Sequence, residues 1–161
     1  MAGGVTVELK GVEELKSHIS RIANAAKLKR AVVEGTSMML STAKMRAVPG
    51  KFGSGALRNS IHMKVDEQRD QISGKIFTAL EYAMYVEFGT GIIGENSNYP
   101  RAGQLGLSYA HYPWTYTPDN GERFFRTEGQ PARPFMYPAL AENKSQIKQR
   151  IINALREDVR R

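Results

Sequence analysis

Ser60-Ile61-His62-Met63-Lys64-Val65-Asp66-Glu67-Gln68-Arg69-Asp70-Gln71-Ile72-Ser73-Gly74-Lys75-Ile76-Phe77-Thr78-Ala79 is the stretch that decides the fold. Ile61, Met63 and Val65 alternate with His62, Lys64 and Asp66, and the same period of two resumes from Ile72 to Ala79 after a polar turn, residues 66–71. Two alternating runs about a polar turn predict an antiparallel hairpin with one apolar face. His62 falls on the opposite face and needs no functional role. An apolar sheet face must be covered by another layer.

Amphipathic helices on either side of the hairpin supply that cover. Upstream, Val12, Leu15, Ile19, Ile22 and Ala26 recur at steps of three and four, with Glu13 and Glu14 in the first turn, where the helix dipole favours negative charge. His18 lies at the edge of this stripe, as a boundary residue. Leu28, Val32, Thr36, Met39, Ala43 and Ala47 predict a second helix over 27–47, ended by Pro49. Met38, Met39 and Met45 read as adaptable core filling, the alternative being a soft binding surface. Downstream, residues 131–138 are proline-restricted and extended, and Pro138 suits the first position of a helix because its missing N–H has no partner there. Leu140, Ile147, Ile151, Leu155 and Val159 mark the apolar face of that helix. With a short strand over Val5–Leu9, the expected class is α+β: a small antiparallel sheet packed by two N-terminal helices and a C-terminal helix. The 161 residues are expected to form a single domain with an insertion arm over about 92–130.

The totals narrow the function. Hydrophobic residues at 41% and charged residues at 24% fit a globular chain. No run approaches the ~20 apolar residues of a spanning helix, and the N-terminus lacks a charged stretch followed by an apolar one, so synthesis and folding in the cytoplasm are expected. Cysteine is absent, and His18, His62 and His111 have no metal-binding spacing. No nucleophile, base and orienting group can be named together, so neither an enzyme nor a metal or cofactor is expected.

Two glycine-rich stretches invite a phosphate-binding reading and fail it. Pro49-Gly50-Lys51-Phe52-Gly53-Ser54-Gly55 is a loop, but Met45 and Phe52 stand where a P-loop needs Gly and Ser or Thr. Gly89-Thr90-Gly91-Ile92-Ile93-Gly94 has dinucleotide-binding form, yet Glu95-Asn96-Ser97-Asn98-Tyr99-Pro100, which follows, is a string of turn formers rather than a helix start. Tyr82, Tyr85, Val86 and Phe88 are expected to pack this segment on the hairpin, and Glu87 to act as an inter-subunit or capping acceptor.

Residues 92–130 hold seven of the fourteen aromatic residues: Tyr99, Tyr109, Tyr112, Trp114, Tyr116, Phe124 and Phe125. Trp114 and Tyr116 alternate with Thr115 and Thr117, and Pro118-Asp119-Asn120-Gly121 is a turn signal, so a projecting hairpin over about 109–127 is predicted. Tyrosine and tryptophan are enriched at protein interfaces. Residues 92–134 carry four basic and four acidic groups, which favours a protein contact over base stacking, since a stacking groove should be basic. A loop packed only on itself remains an equal alternative. Tyr109, Tyr112, Trp114, Tyr116, Phe124, Phe125 and Glu87 are therefore the candidate interface residues.

The net charge of +7 comes from the two terminal regions: residues 1–50 hold eight basic and four acidic groups, and residues 135–161 hold six and three. On exposed helical faces such a surplus attracts a polyanion, although Lys and Arg also serve as helix formers for solubility. Lys51, Arg58, Lys144, Lys148 and Arg156 are the candidate contacts to DNA or an acidic partner.

Three motifs taken in order, Gly55-Ala56-Leu57-Arg58-Asn59-Ser60-Ile61 after a Pro/Gly turn, Tyr82-Ala83-Met84-Tyr85-Val86-Glu87-Phe88-Gly89-Thr90, and Arg133-Pro134-Phe135-Met136-Tyr137-Pro138-Ala139, resemble those of the neck and tail-completion proteins of long-tailed double-stranded DNA phages, the minor tail protein Z-like putative tail-component family. The resemblance implies a virion protein that forms a homo-oligomeric ring, sixfold by tail symmetry, joining the head connector to the tail tube around the DNA. Its partners would be copies of itself, head-connector (stopper) and tail-terminator or tail-tube proteins, and packaged DNA held without sequence preference; no membrane is implied. A tail-terminator subunit capping the tube is an alternative within the class. A stand-alone basic nucleic-acid-binding protein is the alternative outside it.

Overall fold

The computed structural model describes residues 6–8, 25–47, 55–68, 71–97, 99–100, 102–117 and 124–159. The expected helix over 12–26 lies almost wholly outside these residues, as do most of the 49–55 loop and Lys51. Two compact units are defined: Ala2–Leu80 with Phe135–Arg161, and Glu81–Pro134.

The larger unit contains β1 (Thr6–Glu8), α1 (Ala25–Arg46), α2 (Ala56–Ser60), β2 (His62–Gln68), β3 (Gln71–Phe77) and α6 (Met136–Val159). Its sheet has the order β1-β3-β2, antiparallel throughout. The β2–β3 register pairs Met63 with Ile76, Val65 with Gly74, and Gln68 with Gln71. The strands thus run further into the polar stretch than the alternation predicted, since backbone pairing continues where side chains no longer need burial. His62 is exposed as expected, whereas Ile61 and Ile76 are fully buried.

Of the stripe read over 27–47, Thr36, Met39 and Ala43 are buried on α1 and Ala47 just past its end, while Leu28 and Val32 are half-buried. Helix and sheet come together at Gly74. A Cβ at this position would overlap the Thr36 hydroxyl and lie 3.2 Å from Val32, so only glycine allows the approach. Thr36 satisfies its own buried hydroxyl by donating to the Val32 carbonyl at 2.7 Å.

α6 packs antiparallel to α1. Gly35 meets Ile147, Asn143 donates to Thr42 Oγ1 at 2.9 Å and to the Ala139 carbonyl at 2.8 Å, and Glu34 accepts from Arg150 at 2.7 Å. Arg46 pairs with Glu142 at the other end. Met136, Ala139 and Ile147, with Phe135 just before the helix, are the most buried apolar residues here, while Leu140, Ile151 and Leu155 are half-buried. The helix starts two residues before Pro138, which therefore stands third rather than first; its absent N–H still falls among the donors without an intrahelical acceptor.

The motif ending in Ser60-Ile61 closes the hairpin base. Ser60 Oγ donates to the Leu57 carbonyl at 2.8 Å and shares a 2.7 Å hydrogen bond with Thr78 Oγ1, which in turn accepts from Leu80 N–H at 3.2 Å. The methionines divide: Met39 is core, but Met45 is 66% exposed, which corrects its reading as core filling.

Candidate functional site

Glu81–Pro134 is built from four short helices and strands that alternation alone did not reveal, plus one hairpin that it did. The elements are α3 (Ala83–Phe88), α4 (Gly91–Glu95), α5 (Ala102–Leu105), β4 (Trp114–Tyr116), β5 (Phe125–Thr127) and β6 (Gly129–Gln130). β4 and β5 pair antiparallel with Trp114 opposite Thr127 and Tyr116 opposite Phe125, the centre of the hairpin predicted over 109–127. Its turn lies outside the described residues.

The glycines of the dinucleotide-like stretch have a structural purpose. Thr90 bridges Gln130, and Gly91 bridges Gly129. Gly91 has φ 62° and Gly129 φ 115°, in the region that favours glycine, and a Cβ on either would overlap the opposing backbone. Gly89 and Gly94 are close enough for a Cβ on Gly89 to stand 2.7 Å from the Gly94 Cα. A five-residue helix spans Gly91–Glu95, with the third glycine inside it rather than opening it, and no helix starts in the turn formers that follow among the described residues. The stretch is a clasp between two backbones. It is tightened by Gln130 N–H to Thr90 Oγ1 at 3.2 Å, Ala132 N–H to Ser97 Oγ at 2.9 Å, and Arg133 N–H to the Val86 carbonyl at 2.8 Å.

Glu87 does not face outward toward another subunit: it is 1% exposed and accepts the Tyr99 hydroxyl at 3.1 Å. Phe88 stacks edge-on against the same Tyr99 ring, centroids 5.0 Å apart. Tyr82 and Tyr85 are exposed, not packed down as anticipated, because α3 turns Ala83 and Glu87 inward instead.

The hairpin, α3 and residues 107–110 enclose an open groove of about 770 Å³. Trp114 and Tyr116, two apart on β4, share its floor; Met84, Tyr85 and Phe88 form one wall. Tyr109 reaches from the other side to donate to the Phe88 carbonyl at 3.1 Å, and burial, with a smaller contribution from Glu95, raises its phenol above the ordinary value. Tyr112 (72% exposed), Phe124 (76%) and Phe125 are exposed, as is the groove-lining Tyr116, whose ring lies 6.0 Å from that of Phe125.

Of the basic candidates, Arg58, Lys144, Lys148 and Arg156 are exposed. All four belong to the unit of Ala2–Leu80 and Phe135–Arg161. Sequence spacing had not indicated Met84, Leu107 or Gln130 as groove residues; they gather only when the clasp closes.

Among the described residues, no three His, Asp or Glu side chains are placed to hold a metal ion, and no helix is long and apolar enough to cross a membrane. Residues 10–89 match the family model described as "Bacteriophage HK97-gp10, putative tail-component". This match, over 80 of the 161 residues, supports a phage tail-component family for the chain, and with it a structural role among the tail proteins of a virion. The match takes in α1, the hairpin and α3 and ends at Gly89, before the groove is completed and before the Arg133–Ala139 motif. Neither the curated proteins nor the solved structures hold a match to the chain.

Proposed function

We propose that the chain is a neck or tail-completion subunit, forming a homo-oligomeric ring, sixfold by tail symmetry, between the head connector and the tail tube. The observation that carries the reading is the concentration of exposed aromatic side chains on Glu81–Pro134, within a chain that matches a tail-component family. Interfaces draw most of their binding energy from such residues. Exposed Lys144, Lys148 and Arg156 offer attraction to phosphate without base contacts, which suits DNA that must pass through a ring. A role as terminator of the tail tube would use the same surfaces.

Replacement of Tyr112 and Phe124 by Ala in the phage tests this reading. Both are well exposed, so folding should be preserved while heads and tails accumulate unjoined. Normal yields of joined, infectious particles from the double variant would count against the surface.

A further inference from the structure

The two units differ in exposed apolar side chains and in charge composition. Of eleven large apolar side chains exposed among the described residues, ten belong to Glu81–Pro134, and the remaining one is Met45 on the last turn of α1. Residues 81–134 hold four basic and six acidic groups, whereas the rest of the chain holds nineteen and ten. A closed ring needs a heterologous contact, in which two different patches on each subunit fit one another.

We propose that the aromatic groove of one copy receives the last turn of α1 of a second copy, with Met45 inserted between Tyr85 and Trp114. This deepens the ring reading above and rests on it. Methionine is unbranched and polarisable, and its sulfur makes favourable contacts with aromatic rings such as those lining the groove. Met38, seven residues earlier, shares the face of Met45 and extends the apolar stripe. Charge is complementary as well. Lys44, beside Met45, and Glu128, between the groove residues Thr127 and Gly129, make no ion pair among the described residues. Docking would bring the basic unit of one copy onto the acidic unit of the next, favouring this pairing over contact between like units.

The absence of native cysteine makes disulfide trapping clean. Particles are assembled from a mixture of Met45→Cys and Tyr85→Cys chains and oxidised. A covalent dimer containing one chain of each kind is expected, with no dimer from either variant alone. Particles that incorporate both variants without the mixed dimer overturn the docking and leave the ring standing; particles that lack even the unmodified chain overturn both. Should cysteine at these positions bar incorporation, the charge pair reads the same contact. Lys44→Glu should lower incorporation about tenfold, and Glu128→Lys in the same chain should restore it; failure to restore overturns the docking.

Discussion

Gly74 and Thr36 touch so closely that the sheet can accept α1 only because residue 74 has no side chain. Gly74→Ala must therefore shift the helix or the strand, at a cost of about 1–3 kcal/mol. Removing the opposing hydroxyl and methyl should return part of that loss. In urea titrations, Gly74→Ala with Thr36→Ala should be more stable than the sum of the single effects by about 0.5–3 kcal/mol. Strict additivity would mean that the contact does not set the packing.

Tyr99 and Glu87 form a buried hydrogen bond inside Glu81–Pro134. Tyr99→Phe leaves the ring stacking in place but removes the donor, and should cost about 1–3 kcal/mol. The loss should register as faster proteolysis of the 81–134 segment in the free protein. If Glu87 served another subunit instead, the isolated chain would be unaffected and only assembly would suffer.

The clasp predicts a sharper local effect. Gly91→Ala and Gly129→Ala each place a Cβ against opposing backbone at positive φ, strain that the local structure can relieve by opening. Limited proteolysis between residues 92 and 128 should accelerate in both variants, while hydrogen exchange in α1 and α6 stays as in the parent. Unchanged cleavage would show that the bridge is dispensable.

Asp66 accepts from Lys64 at 2.7 Å and Lys75 at 3.3 Å. The hydrogen bond from Lys64, opposed by partial burial and aided by Lys75 and both charges, holds its carboxyl below the ordinary value of 3.8. A depressed carboxylate contributes stability that is present above the unfolded value and lost as pH falls through the folded one. Stability should thus decline below about pH 4 by this route, and Asp66→Asn should flatten that part of the profile. An NMR titration placing the Asp66 carboxyl at or above 3.8 would contradict it.

Much of the larger unit was legible in the sequence because its elements are long and their periods clean. Thr36, Met39 and Ala43 of the predicted stripe became the buried face of α1, and alternation about Met63 and Ile76 became a paired register. Glu81–Pro134 was legible only in its hairpin. Its helices span four to six residues, too short for a period to emerge, and its clasp joins Gly91 to Gly129 across 38 positions of sequence. Glycine spacing alone could not separate a nucleotide cradle from backbones pressed together. Trp114 and Tyr116 were identifiable as surface candidates by residue type, but the groove they floor depends on Met84 and Leu107, which only the closed backbone brings near.

The most direct test of the account is a reconstruction of the virion by electron cryo-microscopy with the chain fused to a small rigid tag. Tag density in a ring where the capsid joins the tail, at six copies, is the predicted result. Tag density elsewhere in the particle, or none, would contradict it.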